Sequence, residues 1–111
     1  MSFVRACAEA DLPEGSVLSI DLGGPDLIAV ARTEQGLFAI RDRCSHSDVP
    51  LSEGDVEDCT LECWAHGSRF DLRTGIPLDP PAVESVPVYP VHSDGTDIFI
   101  DFDNPITSQE H

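Results

Sequence analysis

The chain has 111 residues, a length that fits one domain with a modest apolar core. It contains 21 acidic residues against six arginines and no lysine, so its formal net charge is −15. Such a charge repels phosphate, which excludes nucleic acid and anionic membranes as favourable partners. No apolar run approaches the roughly 20 residues of a membrane span, and the N-terminus lacks the apolar stretch of a signal peptide. We therefore expect a cytoplasmic monomer.

Residues 1–41 have the pattern of short β-strands. Alternating apolar residues predict strands over 2–9 and 17–22, and two β-rich runs at 27–33 and 37–41 are joined by a hairpin turn at 34–36. Turn residues at 11–15 and 23–26 separate these strands. No helical stripe of useful length occurs in this half, which predicts an all-β fold.

The remaining residues predict further strands and a stiff, proline-rich segment. We expect a loop at 51–55, a strand over 56–62 and a strand over 68–72, followed by a rigid flap at Pro77, Pro80 and Pro81. Two prolines within 86–91 predict an edge strand there, and 98–102 is the expected closing strand. The prediction is one β-domain over 1–104, with 42–84 inserted as a small subdomain and 105–111 as a flexible tail.

Two cysteine and histidine pairs lie in this inserted segment. Cys44 is followed by His46, Cys63 is followed by His66, and sixteen residues separate the two pairs. Thiolates and neutral imidazoles are good ligands for iron and for zinc, so the four side chains predict one metal site. Ligand identity alone leaves both an iron–sulfur cluster and a structural zinc ion open.

The pattern and its context resemble the cluster-binding motif of Rieske iron–sulfur proteins. The residues after His66 are Gly-Ser-Arg-Phe-Asp, and with Pro80 and Pro81 they are similar to the second cluster loop and the proline loop of Rieske domains. This resemblance implies an antiparallel β-sandwich and one [2Fe–2S] cluster, with Cys44 and Cys63 on one iron and His46 and His66 on the other.

Several neighbours of the ligands bear on how such a cluster is tuned. High-potential Rieske proteins of respiratory chains have a disulfide at the positions of Val49 and Ala65 and a tyrosine at the position of Phe70. Ser68 matches a serine that raises the potential in those proteins. Fewer hydrogen bonds to sulfur leave the reduced state less stabilised, so we expect a low potential, near roughly −150 mV.

Roles are also predicted for four other residues. Trp64 is expected to shield the cluster or, as the second choice, to contact a docking partner, and Pro80 is expected to help shield it. Cys7 and Cys59 are predicted not to be ligands, because Cys7 is most simply a buried apolar residue and Cys59 would leave one histidine unused.

The chain is too short to be an enzyme of the Rieske oxygenase type. Such enzymes add a domain whose mononuclear iron needs two histidines and a carboxylate, and beyond the four cluster ligands only His92 and His111 remain here. By resemblance to the ferredoxin component of bacterial ring-hydroxylating dioxygenases, we expect a soluble one-electron carrier. It would pass electrons from an NAD(P)H-dependent flavoprotein reductase to a terminal oxygenase.

Two alternatives remain open. One keeps the cluster but makes the protein an accessory or electron donor in iron–sulfur assembly or in another reductase system. The other, from a different class, is a zinc-stabilised interaction module.

Overall fold

The computed structural model describes residues 3–24, 26–44, 49–65, 67–79, 84–102 and 105. Within these ranges the chain forms ten short β-strands and two single-turn 3-10 helices, the latter at Glu9–Asp11 and Leu51–Glu53. In chain order, the strands are β1 (Val4–Ala8), β2 (Val17–Ile20), β3 (Ile28–Thr33), β4 (Gly36–Arg41), β5 (Asp55–Glu57), β6 (Thr60–Glu62), β7 (Arg69–Asp71), β8 (Val88–Tyr89), β9 (Val91–Ser93) and β10 (Asp97–Ile100).

The strands form three antiparallel sheets. The central sheet has the order β2-β3-β4-β8, the terminal sheet has the order β1-β10-β9, and a third sheet, here called the insertion sheet, has the order β5-β6-β7. The predicted all-β, antiparallel architecture is confirmed. None of the described residues form a helix long and apolar enough to cross a membrane.

Strand β3 explains how the three sheets pack. Ile28 and Val30 belong to an apolar cluster that reaches the terminal sheet, whereas Ala29 and Ala31 belong to a cluster that reaches the insertion sheet. Successive side chains of a strand point to opposite faces, so β3 is buried on both sides. The insertion sheet therefore shares a core with the central sheet.

The predicted strand over 56–62 is wrong in its details. Residues 55–62 form a hairpin, in which Glu57 pairs with Thr60 and only Asp58 and Cys59 make the turn. Asp58 has a φ of 54°. Aspartate tolerates this left-handed conformation better than most residues, which permits the tight turn.

The predicted edge strand over 86–91 is two strands. Pro90 lies between β8, which is at the edge of the central sheet, and β9, which is at the edge of the terminal sheet. The edge position is confirmed, and the single strand is wrong because the chain changes sheets at the proline. The 34–36 hairpin turn is confirmed, and the predicted loop at 51–55 contains the second 3-10 turn. Most of the predicted tail and of the proline flap beyond residue 79 lie outside the described residues.

Candidate metal centre

Two of the four predicted ligands are described, and they lie in the same apolar cluster. Cys44 follows β4 after two residues and is 4% exposed, and Cys63 directly follows β6 and is fully buried. The packing of the insertion sheet on the central sheet thus brings together two cysteines that are 19 positions apart in the sequence. His46 and His66 lie outside the described residues, so the complete ligand set stays a prediction.

Each cysteine begins a loop that closes in the same way. The Cys44 amide donates to the Val49 carbonyl oxygen at 3.0 Å, and the Cys63 amide donates to the Ser68 carbonyl oxygen at 2.7 Å. We call residues 44–49 the first ligand loop and residues 63–68 the second. In both, the cysteine binds the fifth residue after it, and the predicted histidine lies between the two.

The second ligand loop depends on a glycine. The Gly67 amide donates to the Cys63 carbonyl oxygen at 2.8 Å, and Gly67 has a φ of +80°. A side chain is strained in this conformation, so glycine is the residue that allows the loop to turn back. Both backbone groups of Cys63 therefore help to close the loop, because its amide donates one hydrogen bond and its carbonyl oxygen accepts another.

The first ligand loop is supported from outside by a buried carboxylate. Asp42 accepts hydrogen bonds from the Ser52 amide at 2.6 Å and from the Ser52 hydroxyl at 2.7 Å. These bonds join the residues just before the loop to the 3-10 turn just after it. A buried carboxylate needs such donors, which explains why Asp42 is tolerated at 5% exposure.

The predicted [2Fe–2S] cofactor fits the two cysteines. Neither is in a disulfide, and both are buried among apolar side chains at the start of matching loops. Soft thiolate donors in a dry pocket suit an iron–sulfur cluster, because exclusion of water protects the metal–sulfur bonds. Elsewhere among the described residues, no group of three or more potential ligand side chains forms a second metal site.

The other two cysteines have raised thiol pKa values. Burial is the main cause for both, and nearby acids add to it, Asp11 for Cys7 and Asp71 for Cys59. A raised pKa keeps a thiol protonated and makes it a poorer ligand. Cys7 lies in the cluster on the other face of the central sheet, whereas Cys59 shares the cluster of Cys44 and Cys63. Their assignment as non-ligands stays a prediction.

The predicted tuning residues differ in exposure. Ser68 and Phe70 are buried, with Phe70 opposite Leu61 in the insertion sheet, whereas Trp64 is 56% exposed. Pro80 lies outside the described residues. Sequence reasoning considered only the hydroxyl of Ser68 and missed that its carbonyl holds the amide of Cys63. It also missed an ion pair between Arg69 and Asp79, whose only sequence signal is an aspartate placed before two prolines.

Known proteins match this chain over most of its length. Residues 2–90 match the Rieske [2Fe-2S] domain family. The 3-phenylpropionate/cinnamic acid dioxygenase ferredoxin subunit of Shigella boydii serotype 4 is 45% identical over 102 residues, which cover 91% of this chain and 94% of that protein. The ferredoxin of carbazole 1,9a-dioxygenase from Nocardioides aromaticivorans IC177 has a TM-score of 0.83 and 34% identity, covering 90% of this chain and 97% of that one.

A third match comes from a complex. A chain in the structure "Complex of reduced oxygenase and oxidized ferredoxin in carbazole 1,9a-dioxygenase" has a TM-score of 0.82 and 28% identity, covering 88% of this chain and 91% of that one. The matches confirm the Rieske-type fold and cofactor. They also support the expected electron-transfer component, because both of these relatives are named ferredoxins. With its paired cysteine loops and a family match over residues 2–90, the chain belongs to the Rieske [2Fe-2S] domain family.

Proposed function

We propose that this chain is the one-electron carrier of a ring-hydroxylating dioxygenase system. It accepts electrons from an NAD(P)H-dependent flavoprotein reductase and delivers them to a terminal oxygenase. The observation that supports this most is the 45% identity to a dioxygenase ferredoxin subunit, which extends over 94% of that protein. The cytoplasmic location and the monomeric state belong to the same proposal.

The residues of the chain hold and insulate the redox group. Cys44 and Cys63 are the thiolate ligands, and His46 and His66 are the imidazole ligands. When bound, a [2Fe–2S] cluster supplies a one-electron redox couple. The closing hydrogen bonds from the two cysteine amides keep both ligand loops in place, so little rearrangement is needed when the charge of the site changes.

Trp64 is a candidate contact for both partners. It directly follows Cys63, and its 56% exposure favours contact with a partner over shielding of the cluster, the role first expected of it. Aromatic side chains contribute much of the binding energy of protein interfaces when a partner covers them. A contact at this position would bring the partner close to the second ligand loop.

The charge of the surface predicts the charge of the partners. Among the described residues, at least four of the six arginines form ion pairs with acids of the same chain, namely Arg5 with Asp97, Arg32 with Glu9, Arg69 with Asp79 and Arg73 with Asp71. Most of the positive charge is therefore already compensated, and most of the other described acids are exposed. We expect docking faces on the reductase and the oxygenase that are rich in lysine and arginine.

Electron transfer with defined partners tests the proposal. The holo-protein is mixed anaerobically with NADH and the reductase of a 3-phenylpropionate dioxygenase system, and its visible absorbance is followed by stopped flow. We expect reduction only when the reductase is present, and reoxidation when the terminal oxygenase, its substrate and oxygen are added. Trp64→Ala should lower both second-order rate constants, whereas Val4→Ala, another exposed apolar residue, should not.

A holo-protein that neither partner reduces or oxidises would contradict the proposal. It would favour the alternative of an accessory or electron donor in iron–sulfur assembly or in another reductase system. The zinc-stabilised module is no longer a candidate, because family membership implies the iron–sulfur cofactor.

A further inference from the structure

Arg69 and Asp79 form an ion pair that is held by three hydrogen bonds. The Arg69 Nε atom donates to Asp79 Oδ2 at 2.6 Å, and Nη2 donates to Oδ1 at 3.2 Å. The Arg69 backbone amide also donates to Asp79 Oδ2 at 3.3 Å. A two-pronged pair of this kind fixes direction as well as distance, because both groups are planar.

The pair closes one end of an irregular hairpin. Residues 76–79 run antiparallel to β7. The Asp71 amide donates to the Ile76 carbonyl oxygen at 2.9 Å, and the Leu78 amide donates to the Arg69 carbonyl oxygen at 2.7 Å. At the other end, the Val86 amide donates to the Gly75 carbonyl at 2.9 Å. The chain is thus attached to β7 just before residues 80–83, and to the turn that follows β7 just after them.

Arg69 is also the residue next to the closing bond of the second ligand loop. Ser68 accepts the hydrogen bond of the Cys63 amide, and Arg69 follows it as the first residue of β7. The consecutive residues Ser68 and Arg69 therefore connect Cys63 to the Asp79 carboxylate, because Ser68 binds the Cys63 amide and Arg69 binds Asp79. A shift of Arg69 moves the Ser68 carbonyl.

Global stability is a poor explanation for this pair. Both side chains are partly exposed, 46% for Arg69 and 32% for Asp79, and exposed ion pairs contribute little to the free energy of unfolding. Backbone hydrogen bonds at Asp71 and Leu78 already attach residues 76–79 to β7, so the pair is not needed to order them. What the pair adds is a defined position for the start of β7 relative to the residue before Pro80.

We propose that Arg69 and Asp79 are a positioning pair that fixes the start of β7, and with it the closing bond of the second ligand loop, against residues 76–79 and thereby sets the reduction potential. Breaking the pair admits water to the second ligand loop. Water stabilises the reduced site, which has one more negative charge than the oxidised site, so the potential rises. The proposal needs the bound cluster but no partner protein, so its test is independent of the proposed function.

Two substitutions that change the net charge in opposite directions distinguish a positioning role from a simple electrostatic one. Arg69→Gln removes a positive charge, which by charge alone lowers the potential, and Asp79→Asn removes a negative charge, which by charge alone raises it. If the pair acts through position, both variants raise the potential, and the double variant R69Q/D79N shifts it no further than either single one. Both single variants also lose iron to a ferrous chelator several-fold faster.

Two further variants complete the test. Arg73 forms a comparable exposed pair with Asp71, at 3.3 Å, but this pair joins residues only two apart. Arg73→Gln therefore makes the same charge change as R69Q without separating two segments, and we expect no change in chelation rate and no rise in potential. Arg69→Lys keeps the charge but loses the two-pronged geometry, so it should raise the reduction potential by less than R69Q does. This variant provides a test even if R69Q assembles its cluster poorly.

The potential is measured by spectroelectrochemical titration of the holo-proteins, and iron loss by absorbance. Shifts of opposite sign in R69Q and D79N at an unchanged chelation rate would overturn the proposal in favour of charge alone. Unchanged values in R69Q, D79N and R69K would overturn it as well.

Discussion

Cys44 and Cys63 show how single residues are prepared for metal binding in this chain. Each is buried, and each uses its own amide to close the loop that it begins, at 3.0 Å and 2.7 Å. The thiol is thus held by backbone geometry that does not depend on the metal. This preorganisation lowers the conformational entropy that ligand binding would otherwise cost.

Substitution of the cysteines distinguishes ligands from core residues. Cys44→Ser and Cys63→Ser should abolish the visible absorbance and the bound iron of the purified protein, because a serine hydroxyl is a poor replacement for a thiolate at iron. Cys7→Ala and Cys59→Ala should retain both. Iron and sulfide assays on the four variants check this, and loss of iron in Cys59→Ala alone would assign Cys59 to the ligand set.

At the scale of single elements, the turn after β7 depends on the absence of a side chain. Gly75 has a φ of +79°, and a Cβ atom placed there would lie 2.0 Å from the carbonyl oxygen of Val86. The positive φ and the close approach to Val86 both require glycine. The close approach arises only because the chain comes back to Gly75 at Val86. The turn is therefore specified by a contact with residues eleven positions later.

Gly75→Ala should destabilise the protein more than a matched glycine substitution. Gly95 has a φ of +97° but open space at its Cβ position, so Gly95→Ala should cost only the left-handed backbone strain, about 1–2 kcal/mol. Gly75→Ala adds the clash with Val86, a further cost of about 1–3 kcal/mol. Urea unfolding of both variants measures the difference, and equal losses would show that the contact relaxes freely.

The turn between β9 and β10 predicts a pH dependence. Asp94 Oδ1 accepts hydrogen bonds from the Asp97 amide at 2.8 Å and the Thr96 amide at 2.9 Å, and these bonds lower the pKa of the Asp94 carboxyl. Because the folded-state pKa is below the unfolded value, this stabilisation is complete above the unfolded pKa. It is lost as the pH falls through the folded pKa.

Asp94→Ala should therefore be less stable than the parent protein at neutral pH, and the difference should shrink below about pH 4. Urea unfolding of both proteins between pH 3 and pH 7 gives the difference directly. A difference that grows on acidification would contradict the assignment of these hydrogen bonds as the cause of the lowered pKa.

For the whole molecule, the net charge of −15 controls encounters with partners. Attraction between this surface and a basic docking face acts over several ångströms and is screened by salt, with a Debye length of about 8 Å at physiological ionic strength. The association rate with reductase and oxygenase should therefore fall steeply as salt is added.

Stopped-flow rate constants between low and physiological ionic strength check this prediction. The reduction potential, measured at the same salt concentrations, serves as the control and should change far less. A rate that is independent of salt would show that the acids act only as a solvated surface.

The sequence by itself determined the family resemblance and most strands, and it predicted the metal ligands. These depend on local spacing and alternation, such as Cys44 before His46 or the β-rich runs beside the 34–36 turn. The burial of β3 on both faces, the change of sheet at Pro90 and the Asp58 turn were decided only by the tertiary structure. The first two depend on how distant segments pack, and the third depends on the left-handed conformation of Asp58.

The same division holds for the site. The composition of residues 44–66 predicted which side chains would bind metal, because ligand chemistry is a property of individual residues. The composition did not indicate which groups hold these side chains in place. The Ser68 carbonyl and the Asp79 carboxylate act through contacts that form only when the insertion sheet has folded. Hydrogen bonds between segments distant in sequence are set by three-dimensional packing, which residue spacing alone does not encode.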